Sequence, residues 1–208
     1  MSNDEQSRKT FGALILAGGA GRRIGFDKKL LTVDGEPVIE KQIGVLSAAF
    51  NEVIVSANGG FTERKGVSVV KDVLGSGPLA GIYSGLLSCK SDFLFVAACD
   101  MPFLSGAWIA RLKEVLWRND CDVCAAARED GFIEPFNAFY GKTAIGAVKQ
   151  SLEAGVYKIQ FVLKKLNVFT IPKKEAEALC PFSAQGRGLF FNINFKEDLE
   201  KAQSAAFR

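Results

Sequence analysis

Residues 11–19 read Phe-Gly-Ala-Leu-Ile-Leu-Ala-Gly-Gly, an apolar run without polar alternation that halts on glycines. A run this short and continuous is the pattern of a β-strand covered on both faces and opening into a glycine loop. Strands covered on both faces belong to parallel sheets, whose neighbours are joined by crossover helices. If residues 11–16 form such a strand, helix and strand should alternate along the rest of the chain.

They do. Residues 38–49 follow Pro37 and carry Val38, Ile39, Ile43 and Leu46 at helical spacing, the first covering helix. The chain returns as a strand at 52–57 and again at 67–70, and Gly75 to Pro78 turn it into a small-residue helix through Leu79 to Leu87. Residues 93–98, FLFVAA, are the clearest central strand and end in Cys99-Asp100-Met101-Pro102. Ser105 then caps a helix with Trp108, Ile109, Leu112, Val115 and Leu116 on one face. Further strands are expected near 123–126, 136–140 and 168–171, with helices near 143–152 and 159–166 and a last one from Lys196. The alternation predicts an α/β fold, a Rossmann-like three-layer α/β/α sandwich with a mostly parallel central sheet. Ligands of such sheets gather at the carboxyl ends of the strands, so the loops after Leu16, Ala57, Val70 and Ala98 should share one rim.

The 208 residues are 48% hydrophobic, enough for one sizeable core, and they read as one domain from residue 11 to 208 behind a disordered arm of ten residues. Lys and Arg number 26 against 23 Asp and Glu, so the net charge of +3 gives no reason to expect a nucleic-acid binder, and any phosphate affinity must be local. The polar N-terminus has no signal-peptide pattern, and no run reaches the roughly 18 apolar residues of a membrane span. A cytoplasmic protein is expected. Five cysteines then read as free thiols. Cys121 and Cys124 have a suggestive spacing, but without any histidine or a second cysteine pair they are expected to be structural rather than zinc ligands.

Residues 16–28, LAGGAGRRIGFDK, place Gly18, Gly19, Gly21 and Gly25 beside Arg22, Arg23 and Lys28. Glycines let backbone N–H groups approach phosphate oxygens, and the basic side chains add charge-assisted contacts, so the loop reads as a triphosphate cradle. It is neither a Walker loop nor a dinucleotide fingerprint. Asp100, at the end of the central strand, is placed to hold a magnesium ion shared with nucleotide phosphates. Near the C-terminus, Asn194 to Glu197 match the N-x-x-E capping box of a final helix.

The loop LAGGAGRRIGFDKKLL resembles the signature of the molybdenum cofactor guanylyltransferases, a branch of the nucleotide-diphospho-sugar transferase fold. Asn58 in VSAN, Asp72 in VVKDVL, GPLAGI at 77–82, CDMP at 99–102, PFNAFY at 135–140 and Asn192-Ile-Asn194 agree with it in order, and the similarity runs over residues 11–203. Ile24, where the family usually has Met, and Asn137, at an apolar or small position, depart from it.

The resemblance implies a magnesium-dependent nucleotidyltransferase that moves GMP from GTP to the terminal phosphate of molybdenum-molybdopterin, releasing pyrophosphate. It implies nucleotide contacts at Leu16, Ala17, Gly18, Gly19, Gly21, Arg23, Lys28, Asn58, Asp72, Gly77, Pro78, Gly81 and Asp100. Lys28, Asp100 and Arg22 would be catalytic, with Asp100 on the metal. Lys158, Asn192 and Asn194 would face the pterin, although Asn194 is also explained by capping and Lys158 by a solvated helix face. Transient partners would be molybdenum-insertion proteins or apo-molybdoenzymes, with no nucleic acid and no membrane. A cytidylyltransferase or another nucleotidyltransferase of the same fold, and a non-catalytic cofactor carrier, are the alternatives. Cytidylyl-transferring relatives tend to read LAAG where this chain has LAGG, and the presence of both Lys28 and Asp100 argues against a carrier.

Overall fold

A computed structural model describes residues 9–18, 31–181 and 187–203. The opening strand is β1 (Phe11–Leu16), followed by a hairpin of β2 (Thr32–Val33) and β3 (Glu36–Pro37), helix α1 (Val38–Ala49) and strands β4 (Val53–Ser56) and β5 (Val67–Val70). Helix α2 (Pro78–Ser88), strand β6 (Phe93–Ala98), helix α3 (Gly106–Arg118) and strands β7 (Val123–Ala127) and β8 (Ala138–Gly141) come next. The chain ends in α4 (Ile145–Glu153), α5 (Ile159–Leu163), β9 (Val168–Pro172), α6 (Lys173–Ala178) and α7 (Lys196–Gln203).

Among the described residues, seven strands form one sheet in the order β5-β4-β1-β6-β8-β7-β9. Only β8 is antiparallel to its neighbours, so the expected mostly parallel sheet is present. Side chains alternate across it as the two-residue period requires. Ala13 and Ile15 of β1, with Phe93, Phe95 and Ala97 of β6, pack with Val38 and Leu46 of α1 and Trp108 and Leu112 of α3. Leu14 and Leu16, with Leu94 and Val96, pack on the other face with Ile82 and Leu86 of α2. Leu79 of α2 joins Val148 and Leu152 of α4 and Val162 of α5 in that second helical layer. Each fully buried aliphatic side chain contributes about 1.5–3 kcal/mol.

Helix α2 lies unusually close to the sheet. A Cβ on Gly85 would come within 2.7 Å of Leu14, and one on Gly81 within 2.6 Å of Leu16 and 2.8 Å of the Ser56 hydroxyl. Four residues apart, the two glycines share one face of the helix, and their missing side chains let its N-terminal end settle against β1 and β4.

Several expectations need correction. The 32–37 hairpin was not anticipated, because strands of two residues carry no readable period. Its Asp34-Gly35 turn has φ 57° and 76°, the left-handed pair of a type I′ turn. The eighth strand starts at Ala138 instead of 136, since Asn137 sits at φ 53° and breaks the extended run. Helix α5 stops at Leu163 instead of 166. Helix α6, of sequence KKEAEA, was missed for want of an apolar stripe. Of the ten-residue arm, residues 1–8 lie outside the described residues, while Lys9 and Thr10 are held. Lys9 Nζ donates to the carbonyls of Leu116 and Asn119. Thr10 donates its N–H and hydroxyl to Asp92, which keeps that carboxyl below its usual range. No helix among the described residues is long and apolar enough to cross a membrane.

Candidate active site

Strands β4 and β6 lie on opposite sides of β1, so the chain leaves the central strand in two directions and a crevice opens at its carboxyl end. A cavity of about 240 Å³ occupies the β4 side of this crevice. Of the residues assigned to nucleotide binding, it is lined by Leu16, Gly18, Asn58, Asp72, Gly77, Pro78 and Gly81, which come from four separate segments. Ser56 and Ser76 also line it and were not anticipated, although Ser56 stands within VSAN, two residues before Asn58.

The N-terminus of α2 forms one wall. Gly77 caps it at φ 82° with no side-chain cap, Pro78 opens the helix, and the first turn contains no acidic residue. The positive end of the helix dipole and the first-turn N–H groups thus meet the cavity with no carboxylate on the helix itself to occupy them, while the Asp72 carboxylate on the facing wall is engaged by Asn58, an arrangement suited to phosphate. On the facing wall, the Asn58 Nδ2 donates to Asp72 Oδ2 at 2.9 Å, and the Asp72 N–H donates to Asn58 Oδ1 at 3.1 Å. This reciprocal pair locks two loops together and fixes which way the Asn58 amide points. Leu16 and Ala17 continue the sheet: the Leu16 carbonyl accepts from Cys99 N–H at 3.1 Å and the Ala17 N–H donates to Ser56 at 2.9 Å.

Asp100 lies on the β6 side of the same rim, does not line the 240 Å³ cavity, and is 9% exposed. It is the third residue of a turn closed by Met101 N–H to the Ala98 carbonyl at 3.0 Å. The buried Gln42 of α1 donates its Nε2 to the carbonyls of Ala98 and Met101, both at 2.8 Å. The Ile193 N–H donates to the Asp100 carbonyl at 2.8 Å, which brings the Asn192–Asn194 stretch against the aspartate turn. Asn137 donates its Nδ2 to the Leu189 carbonyl at 2.7 Å and its own carbonyl accepts from Trp108 Nε1 at 2.7 Å, tying the approach to that stretch into the core.

The capping expectation shifts by one residue. The Asp198 carboxylate accepts from the N–H groups of Asn194 and Phe195, both at 3.0 Å, so the reaching side chain at the start of α7 is Asp198 rather than Glu197. Asn192 Oδ1 is buried without a hydrogen-bond donor among the described residues. Lys158 is exposed at the start of α5, in the layer of α2 and α4, whereas Ile193, between the two asparagines, packs into the core on the opposite face of the sheet. Its neighbour Tyr157 covers Gly75, where a Cβ would lie 2.9 Å from the ring. Gly19, Gly21, Arg22, Arg23 and Lys28 lie outside the described residues.

Cys124 is fully buried and burial pushes its thiol up to about 12, while burial also raises Cys121. Thiols raised in this way are poor nucleophiles at neutral pH. Among the described residues no group of three His, Cys, Asp or Glu is gathered as a metal cluster. Gln42 was missed, yet it had a signal: a glutamine in the apolar stripe that Val38, Ile39, Ile43 and Leu46 define.

Comparison with known proteins fits this layout. The family model of the MobA-like NTP transferase domain matches residues 13–168. A probable molybdenum cofactor guanylyltransferase of Peptoclostridium acidaminophilum is 35% identical over 97% of this chain and 92% of its own length. A molybdenum cofactor guanylyltransferase of Syntrophotalea carbinolica is 35% identical over 91% of this chain and 89% of its own. Among solved structures, the molybdopterin-guanine dinucleotide biosynthesis protein A of Archaeoglobus fulgidus superposes with a TM-score of 0.79 at 26% identity, covering 93% of this chain and 97% of that one.

Proposed function

The chain belongs to the MobA-like NTP transferase family, and on that premise we propose that it transfers GMP from GTP to the terminal phosphate of molybdenum-bearing molybdopterin, with release of pyrophosphate. The observation that carries the reading is the crevice at the end of β1. On one side lies a small cavity under an uncapped helix N-terminus, and on the other a buried aspartate whose turn touches the Asn192–Asn194 stretch.

The chemistry asks little of the protein beyond placement. A phosphate monoester is largely ionised at neutral pH, its second pKa being about 6, so the acceptor needs no general base, and the histidine-free sequence supplies none of the usual kind. The N-terminus of α2, with Gly77 and Gly81 lacking side chains, would receive nucleotide phosphates, while Asn58, fixed by Asp72, would contact the base or ribose. Asn192 and Asn194 would face the pterin from beside Asp100. Lys28 and Arg22 would neutralise charge passing onto the leaving pyrophosphate. Catalysis would rest on orientation and charge neutralisation.

The donor set suits magnesium. This ion is commonly held by one or two carboxylates together with substrate phosphates and water, and Asp100 is a single buried carboxylate at the rim where the phosphates would lie. When bound on Asp100, magnesium would supply Lewis-acid polarisation of the phosphates. The setting would be the cytoplasm, with transient contact to molybdenum-insertion proteins or apo-molybdoenzymes when product is handed on.

The test is pyrophosphate release by the purified chain given molybdenum-molybdopterin and each of the four nucleoside triphosphates with magnesium. Release with GTP alone is expected. Release with CTP alone would make the chain a cytidylyltransferase, and none with any triphosphate would make it a carrier.

A further inference from the structure

Helix α1 carries its apolar face into the core through Val38, Ile39, Ile43 and Leu46, and Gln42 stands in that same face, 1% exposed. A glutamine there is costly unless its amide is fully used. The amide nitrogen is used twice, on the carbonyls of Ala98 and Met101, each at 2.8 Å. Because both partners are acceptors, the amide can sit only one way round, with nitrogen toward the turn. The other end, Oε1, is buried with no hydrogen-bond donor among the described residues. Packing alone would favour a leucine or methionine at this place, so the side chain is better explained by what it does to residues 98–101.

Those residues are the turn that presents Asp100. The two carbonyls gripped by Gln42 belong to its first and last residues, and the turn's own bond, Met101 N–H to Ala98, ends on one of them. Asp100 is therefore bracketed from below by a single amide on α1 and from the side by the Ile193 N–H on its carbonyl. We propose that Gln42 is a positioning residue for Asp100, clamping both ends of the turn so that the carboxylate is held at the angle a divalent ion and the nucleotide phosphates require. The inference rests on the reading that Asp100 is the metal-holding residue.

Groups that orient a metal ligand without touching the metal typically account for about 10–100-fold in metal affinity or activity. The experiment measures manganese(II) binding by electron paramagnetic resonance, with and without GTP, together with urea unfolding and steady-state kinetics. Gln42→Met keeps the length and volume but removes both donors, and Gln42→Asn keeps an amide but is too short to reach the turn. Leu46→Ala, one helical turn further along the same apolar face, removes a fully buried side chain and lowers stability while leaving both Gln42 hydrogen bonds to the turn in place. Both Gln42 variants should bind manganese about 10-fold more weakly and lose turnover in proportion, with the KM for GTP within about 2-fold of wild type. Leu46→Ala should bind manganese as wild type does.

If manganese binding is unchanged in both Gln42 variants, or weakened no more than in Leu46→Ala, the positioning role is overturned while Asp100→Asn still abolishes binding. If Asp100→Asn itself retains manganese, the metal assignment fails, and the positioning role with it. Should one Gln42 variant not fold, the other carries the comparison alone.

Discussion

The two flanks of β1 are built by opposite means. On the β4 flank the cavity is made by what is absent: Gly77 and Gly81 lack side chains, the helix has no side-chain cap, and its first turn has no carboxylate. On the β6 flank the key feature is one charged side chain, and the surroundings are buried amides and backbone bonds that fix the turn beneath it. On the proposed reading, a site that would receive anions through backbone and shape sits beside one that would act through a single carboxylate. The first should be broken by adding atoms, the second by removing charge.

That contrast can be broken first at Asp100. Asp100→Asn is nearly isosteric, so its unfolding midpoint in urea should match wild type while turnover, followed as pyrophosphate release, falls by about 10²–10³, the usual loss when one preorganised electrostatic group is removed. Turnover within a few-fold of wild type at saturating magnesium would erase the distinction between the flanks.

Gly81→Ala tests the other side. Its new methyl would meet Leu16 at 2.6 Å and the Ser56 hydroxyl at 2.8 Å, forcing the N-terminal end of α2 away from β1. Overpacking of this kind costs about 1–3 kcal/mol, and the displaced wall should raise the KM for GTP more than it lowers kcat. A variant as stable as wild type with an unchanged KM would show that close approach of α2 is not what shapes the cavity. The smallest effect is expected away from both flanks, for Cys121→Ser combined with Cys124→Ser. The buried hydroxyl at 124 should reduce stability by about 1–3 kcal/mol, while turnover below the melting transition stays the same. Zinc found by elemental analysis in the wild-type protein and lost in the double variant would reverse that reading.

The frame of the molecule was legible because its signals are long. FGALIL and FLFVAA are buried along nearly their whole length, and no solvent-facing strand of an antiparallel sheet would carry such runs. What escaped was short or polar: two-residue strands around Asp34-Gly35, the stripe-less α6, and the single left-handed residue Asn137 that delays β8. The cavity residues at Gly77, Pro78 and Gly81 were reached through motif order, since spacing alone could not say that residues 16, 58, 72 and 81 meet. The role of Gln42 was out of reach in principle. Its oddity within an apolar stripe can be read locally, but its partners lie 56 and 59 residues further along, and only the fold pairs them.

The placement of β1 also governs how the chain comes into being. This strand is made before the other strands of its sheet, yet its partner β6 begins with Phe93 pairing Phe11, 82 residues later. At about 5–20 residues per second, a ribosome needs roughly 4–16 s to deliver that partner. During this interval the most apolar strand near the N-terminus has an open edge, and pairings between distant segments are intrinsically slow to form. The strand around which the crevice is organised is therefore also one that waits with an edge open to aggregation until the sheet closes over it.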